Sequence, residues 1–413
     1  MALFASLALG LGMTACGGGT VGYMWVLGQQ YNNVAGFKID DYTGNLTEII
    51  NAPFNANGAI PVSIAIKPGG RYVYVLNQGT GGSATGRGTS SGISVFSVGG
   101  DGTLNYQLSY QSQGYVGQWM QLDQTGTYLY VLDKYSPSYV SSTGLWNGPN
   151  TNGLGAITVF SIDSTTGRLT LVTNSTTQIN NINTPFWLTG KTPFMMKVSS
   201  GCVFTMDSDQ SVFAYSVSGS QLATVQTNVF NPGTINATSI TGSGSYVMIT
   251  DNLTPAGTSP SINGQVLLYT VGGSCNLQAA SAGARTTIKS TEGTPNPVYS
   301  FIDSTGKYLY VLNSSNTSTL TTNSFSSISG YTINTSNNQL SPISGAPYTV
   351  GSGPVCISED PTNQYMYISN YNDGTVTGKV IDPTTGILSD LSRGSTFQAV
   401  GHAGCLAISG SVN

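Results

Sequence analysis

The sequence predicts an all-β fold, a seven-bladed β-propeller of four-stranded antiparallel blades. A tyrosine-led strand recurs seven times, most copies are followed by a second apolar strand, and no amphipathic helical run of useful length interrupts them. The copies are YMWVLGQ from Tyr23, YVYVLNQ from Tyr72, YLYVLDK from Tyr128, CVFTMDSD from Cys202, YVMITDN from Tyr246, YLYVLNS from Tyr308 and YMYISNY from Tyr365. They stand about 40 to 75 residues apart, and strands such as VAGFKID, AITVFSID and ISGYTIN follow them.

The unit is cleanest at 61 to 108. Tyr72, Tyr74 and Leu76 alternate with Val73 and Val75, a period of two that marks a strand. Pro68-Gly69-Gly70 turns the chain before it, and PVSIAI supplies a strand ahead of that turn. Ile93 to Val98 forms a third strand, and Gly99-Gly100-Asp101-Gly102 leads into a fourth at Leu104. One such sheet cannot bury both faces, so each unit requires neighbours of its own kind.

Taken in order, residues 1 to 15 are apolar and uncharged, too short to span a bilayer, and are followed by Cys16 and three glycines. Met13-Thr14-Ala15-Cys16 resembles the lipobox of bacterial lipoprotein precursors, with methionine where leucine is usual and without a basic leader. The resemblance implies cleavage before Cys16, lipid attachment there, and an exported protein anchored in the periplasm or at the cell surface. Residues 1 to 20 are thus signal, lipobox and linker, and 21 to 413 a single propeller. Residues 21 to 50 hold only three strands; the missing inner one is expected from His402 to Ser409, pairing with Tyr23 to Leu27 and closing the ring. Units two, three and six carry insertions at one point of the repeat (79 to 91, 135 to 154, 314 to 328), which project from one face, the expected binding surface. Unit four is the least regular, and Asn180 to Gly190 reads as a linker or an extra strand.

Only 7% of residues are charged, the net charge is −4, and the thirteen Lys and Arg form no cluster, which excludes a nucleic-acid interface. There is no CxxC pair, His-rich tract or phosphate-cradling loop, so no metal or cofactor is expected. Gly242-Ser243-Gly244-Ser245-Tyr246 reads as the turn before a blade strand, not a nucleophile elbow. Beyond Cys16 the cysteines are Cys202, Cys275, Cys356 and Cys405. Cys356 and Cys405 share one inner-strand position in consecutive units; a disulfide between them and buried free thiols both remain open.

The phrases DSTGKYLYVLNSS, DQTGTYLYVLDKY and DPTNQYMYISNYNDGTV, each followed by a strand and then DSTTGRL or DPTTGIL, resemble the YVTN repeats of bacterial surface propellers. They are also similar to the repeats of the seven-bladed lactonase family, which includes propeller-type 6-phosphogluconolactonases. The resemblance covers about 21 to 411. It implies the propeller fold, possible lactone hydrolysis, and polar catalytic groups (His, Glu, Arg) around the channel mouth.

Candidate catalytic groups are His402, the single histidine, and Glu359 in CISEDPT, placed one turn beyond an inner strand. Asp360, Asp303 and Asp123 recur at that position and read as turn caps. Asn77, Asp133, Asp207, Asp251, Asn313 and Asn370 end the tyrosine strands; they cap the strand ends, or line a rim that binds polar ligands. Tyr139 and Trp146 mark the largest insertion as a binding candidate. No pair of arginines falls at the channel, which argues against a phosphate ester. The reading from sequence is a monomeric, lipid-anchored propeller that binds an envelope protein, a glycan or a small polar ligand, touching the membrane only through its lipid; the alternative is a lactonase for a sugar lactone or related cyclic ester.

Overall fold

Alternating apolar strands separated by glycine turns fold here into seven antiparallel blade sheets, with two small two-stranded hairpins beside them among the described residues. The computed structural model describes residues 19–179, 181–199, 201–253, 264–280, 285–288, 296–314 and 326–410, without the side chains of 226–228. Cys16 lies outside the described residues.

The innermost strands are Pro61–Ile66, Tyr115–Leu122, Met195–Ser199, Ala237–Ser243, Pro297–Ile302, Pro354–Glu359 and Ala403–Gly410. Each touches the next in sequence, and Ala403–Gly410 touches both Pro354–Glu359 and Pro61–Ile66, so the ring is closed. Closure comes from the C-terminus, as the missing strand predicts: Ala403–Gly410 pairs antiparallel with Thr20–Gly28, with Tyr23 opposite Ser409 and Val26 opposite Leu406. Blade one therefore combines both ends of the repeat array, and pairing replaces what would be two open sheet edges.

Each blade adds the tyrosine strand, a third strand and a short fourth strand. In blades one, three, five, six and seven a further short segment pairs with the free part of the third strand, as Phe54–Asn55 does beside Leu46–Glu48. In blades two and four a longer fourth strand, Leu104–Tyr110 and Gln221–Phe230, covers that part alone. The irregular stretch ahead of blade four resolves the same way, with Trp187–Lys191 pairing on the outer side of blade three.

Repeated aromatics tie blades one, two, six and seven each to the next. Tyr74 donates to Gly167 O at 3.0 Å, Tyr310 to Gly386 O at 2.8 Å and Tyr367 to Gly44 O at 2.6 Å, while Trp25 donates from Nε1 to Gly102 O at 3.1 Å. In blades one and two the first aromatic of the strand reaches the same turn, Tyr23 to Gly100 O and Tyr72 to Thr165 O. The receiving glycines hold positive φ, 67° at Gly167 and 71° at Gly386, and a Cβ there would overlap the Tyr72 or Tyr308 ring. Only glycine meets both demands. Two disulfides add covalent ties: Cys202–Cys275 joins blades four and five, and Cys356–Cys405 joins blade seven to the closing strand.

At the other end of the tyrosine strands, Asn77, Asp133, Asp207, Asp251, Asn313 and Asn370 are all buried. Asp133 accepts from Ser112 Oγ at 2.8 Å and Gly114 N at 3.1 Å; Asp251 accepts from the backbone of Ile235, Asn236 and Leu253. Asn370 donates to Thr375 and Thr377. Burial pushes Asp133 up to about 7 and Asp207 up to about 8.

Tyr74→Phe is expected to destabilise the fold by about 1–3 kcal/mol by stranding a buried carbonyl, and Gly167→Ala by a similar amount, in denaturant melts. Asp133 keeps its proton in the fold to about pH 7 but loses it near pH 4 when unfolded, so the native state binds more protons in that window and stability falls as pH rises through it. Asp133→Asn, the residue that blades two, six and seven already use, is expected to flatten this fall, seen as a smaller drop in Tm between pH 5 and pH 8 than the parent protein shows.

Candidate functional site

The seven inner strands run parallel to one another. Contacts between neighbouring inner strands at nearly equal levels, Ser63 with Met120, Gln121 with Val198, Thr241 with Ser300 and the Cys356–Cys405 disulfide, mark that alignment. All inner strands therefore begin on the face that carries the insertions and end on the face of tight turns.

A cavity of about 520 Å³ occupies the channel. At its insertion-side limit Trp119 of blade three and Tyr299 of blade six meet across the lumen, with ring centroids 6.4 Å apart. From that level the lining runs through Ile64, Met120, Ile240, Ile357 and Leu406 to the turn face, where it includes Ser243 and Ser304. The pocket thus has an aromatic floor and opens opposite to the insertions, the reverse of the surface expected from the insertion pattern.

Inner strands are edge strands, and their unpaired backbone groups need partners. Lining side chains supply them across the blade seams. Ser63 Oγ donates to Met120 O and accepts from Met120 N. Gln121 Oε1 accepts from Val198 N at 2.9 Å, and Thr241 and Ser300 share a hydroxyl bond at 2.7 Å. Glu359 Oε1 accepts from Ser304 N at 2.6 Å, linking blades seven and six.

Two functional groups are left over. Glu359 Oε2 is buried without a hydrogen-bond partner, and burial pushes the carboxyl up to about 7 against the smaller opposing pull of Ser304. Lys197, on Met195–Ser199, lines the same cavity, and among the described residues its amine has no hydrogen bond or ion pair. Lys197 is half-buried, with Cε against Gly242, and desolvation pulls the amine down to about 8. Lys197 went unnoticed in the sequence because FMMKV belongs to the irregular blade. Register supplies the missing signal: at the same level the other inner strands carry Ala65, Gln121, Thr241, Phe301, Ser358 and Ala407, so Lys197 is the one charge.

The residues singled out by sequence do not converge. Glu359 closes the inner strand Pro354–Glu359 instead of lying one turn beyond it. His402 precedes Ala403, at the opposite end of the adjacent inner strand, about six residues or 20 Å along the channel from the level of Glu359. Its Nδ1 lies 3.1 Å from Tyr371 O, and its ring stacks on Tyr371 at 4.5 Å. The strand-end residues Asn77, Asp133, Asn313 and Asn370 are enclosed within the blades: the Asp133 carboxylate accepts from Ser112, and the three asparagines donate from Nδ2 to hydroxyls of their own blades while their Oδ1 atoms are buried without a hydrogen-bond partner. Asp123, Asp303 and Asp360 accept backbone N–H groups of their turns, the capping expected of them.

Tyr139 and Trp146 pair across a hairpin of Ser138–Val140 with Leu145–Gly148, their centroids 5.2 Å apart. Trp146 packs edge-on against Phe186, and Tyr139 is 36% exposed on the insertion face. The insertions of blades two and three meet through Asn150 N donating to Ala84 O, and Arg87 of the blade-two insertion donates to Ser112 O in the connection that leads into blade three. Residues 315 to 325 of the third insertion lie outside the described residues.

The sequence pattern described as "Lactonase, 7-bladed beta-propeller" matches residues 20–143 and 268–402, more than half of the chain. No sequence among functionally curated proteins matches. Similar solved structures include a candidate 6-phosphogluconolactonase of Bacteroides fragilis, 14% identical with a TM-score of 0.65 over 94% of this chain and 98% of that one. Another, from Bacteroides uniformis, is 15% identical with a TM-score of 0.65 over 95% and 100%. A Lactobacillus plantarum protein, 15% identical, has a TM-score of 0.64 over 95% and 100%. At these identities the likeness concerns the fold. With the sequence match spanning both halves of the ring, the chain belongs to the lactonase family of seven-bladed β-propellers.

Proposed function

We propose that the protein hydrolyses a lactone in the channel pocket, with Glu359 as general base. The observation that carries this reading is the Glu359 carboxyl, which lines the cavity, keeps one oxygen unbonded, and is raised by burial to about 7, where it can both take and return a proton near neutrality. Water adds to the lactone carbonyl as Glu359 takes its proton. The ring C–O bond then breaks, and the departing oxygen leaves as a hydroxyl on receiving that proton back. Negative charge on the carbonyl oxygen develops in the field of Lys197.

Two further supports set the cellular context of this proposal. All four propeller cysteines are paired in disulfides, which suits an oxidising compartment, and the lipobox pattern ends at Cys16. The protein is accordingly proposed to work outside the cytoplasm, held at the membrane by lipid. A second reading, recognition of an envelope protein or glycan by the insertion face, is supported by the exposed Tyr139 beside Trp146.

On a panel of sugar and simple lactones, kcat/KM is expected to follow a bell, rising through about 7 as Glu359 ionises and falling above about 8 as Lys197 loses its charge. Glu359→Gln should lower it by about 100- to 10,000-fold. Undiminished turnover in that variant removes Glu359 as the base, and no turnover on any lactone leaves the insertion-face reading in its place. For the anchor, metabolic labelling with a radioactive fatty acid should mark the full-length protein and fail with Cys16→Ser; equal labelling of both rejects lipidation at Cys16.

A further inference from the structure

We propose that blade seven carries a second small-molecule site, on the outer part of its seam with blade six, that takes a neutral sugar unit. The site lies outside the channel, concerns recognition alone, and stands or falls without turnover.

The argument starts from one position of the repeat. Opposite the second residue of each tyrosine strand, the third strand carries Phe37, Phe96, Phe160, Tyr215, Tyr269 and Tyr331 in blades one to six, all buried. These rings pack into the seam with the preceding blade, Phe96 among Tyr23 and Trp25 of blade one and Phe160 beside Tyr74 of blade two. In blade seven the same position, opposite Met366, is Lys379, only 5% exposed. Its amine forms, with Asp390 Oδ1 at 2.6 Å, the one ion pair among the described residues. A lysine stem leaves open much of the volume that a ring would fill, and a cavity of about 540 Å³ lies against it. Thr377, Lys379 and Leu391 form its buried floor, while Thr349, Asp373 and Asp390 stand exposed at its rim.

The lining selects the kind of ligand. Asp390 neutralises Lys379, so no surplus positive charge draws an anion. Asp373 accepts from Ser352 N and Thr375 Oγ1, both at 2.8 Å, so both carboxylates are already engaged, which disfavours a metal ion. What the floor still offers is donors. An amine carries three N–H groups, of which Asp390 takes one. Thr377 Oγ1 accepts from Gly351 N and from Asn370 Nδ2, which leaves its own O–H to donate. Carboxylate lone pairs at the rim supply acceptors, and Val350 and Leu391 supply apolar surface. Sugar hydroxyls both donate and accept, and the C–H faces of the ring are apolar, so a neutral sugar meets each of these groups with its complement. The volume lies within the range of small-ligand sites.

Isothermal calorimetry with methyl glucoside, methyl galactoside and methyl N-acetylglucosaminide tests this, with inorganic phosphate and calcium as charged controls. At least one of the sugars is expected to bind, about tenfold or more tightly than phosphate or calcium. Lys379→Phe, which gives blade seven the residue type of the other six, should fill the cavity and lower sugar affinity about tenfold or more. Its Tm should match or exceed that of the parent protein, so that the loss is not one of folding. Lys379→Met, which keeps the stem and removes the donors, should weaken binding by a similar factor. Glu359→Gln should bind as the parent does, which separates this site from the channel pocket. Maltotetraose and chitotetraose distinguish the source: binding tighter than the monomer assigns the end of a glycan, and weaker binding assigns a free sugar. No binding of any sugar, tighter binding of phosphate or calcium, or unchanged sugar affinity in Lys379→Phe or Lys379→Met overturns the proposal.

Discussion

The contact on which the ring depends is the aromatic side chain of one blade closing over a glycine turn of the next. Tyr74 on Gly167, Tyr310 on Gly386, Tyr367 on Gly44 and Trp25 on Gly102 place a large buried ring and one hydrogen bond at each of these seams. The turn is left-handed where it presents its carbonyl, and it must lack a Cβ to admit the neighbouring aromatic of the same strand, Tyr72 at Gly167, Tyr308 at Gly386, Tyr365 at Gly44 and Tyr23 at Gly102. The Tyr367 contact reaches from blade seven to blade one, so the same interaction that stacks neighbours also closes the circle. With apolar clusters running between successive blades, a charge-poor sequence needs few ion pairs to hold this shape.

Closing a ring of sheets creates a second problem at its centre, where seven edge strands face one another. Ser63, Gln121 and Glu359 accept backbone N–H groups across three seams, while a Thr241–Ser300 hydroxyl bond and the Cys356–Cys405 bridge tie two others. Structural demand therefore consumes most of the polar lining, and what it leaves, the Lys197 amine and the second oxygen of Glu359, stands out as available chemistry.

How far the sequence reached follows the repeat. The tyrosine strands, their Asn and Asp caps and the closing segment from 402 were legible because their spacing recurs and each departure, such as three strands at 21 to 50, has one geometric remedy. Glu359 was legible as a residue but not as a channel group, because its neighbour Asp360 obeys the turn-capping rule and drew the pair into one interpretation. His402 drew attention as the lone histidine, and the parallel run of inner strands carries it to the far end, against Tyr371. Lys197 was hidden in the blade whose repeat is weakest.

Period-two alternation and the glycine turns determined by themselves that this chain forms seven antiparallel blades and that its ends must meet, because side-chain periodicity and backbone freedom are local properties. Which side chains share the lumen was decided only by tertiary structure. Glu359 and Lys197 are 162 residues apart, on blades seven and four, and neither carries a local signal of the other. They line one cavity because closure aligns all inner strands in parallel, and the Trp119–Tyr299 contact across the lumen sets the floor against which that cavity opens.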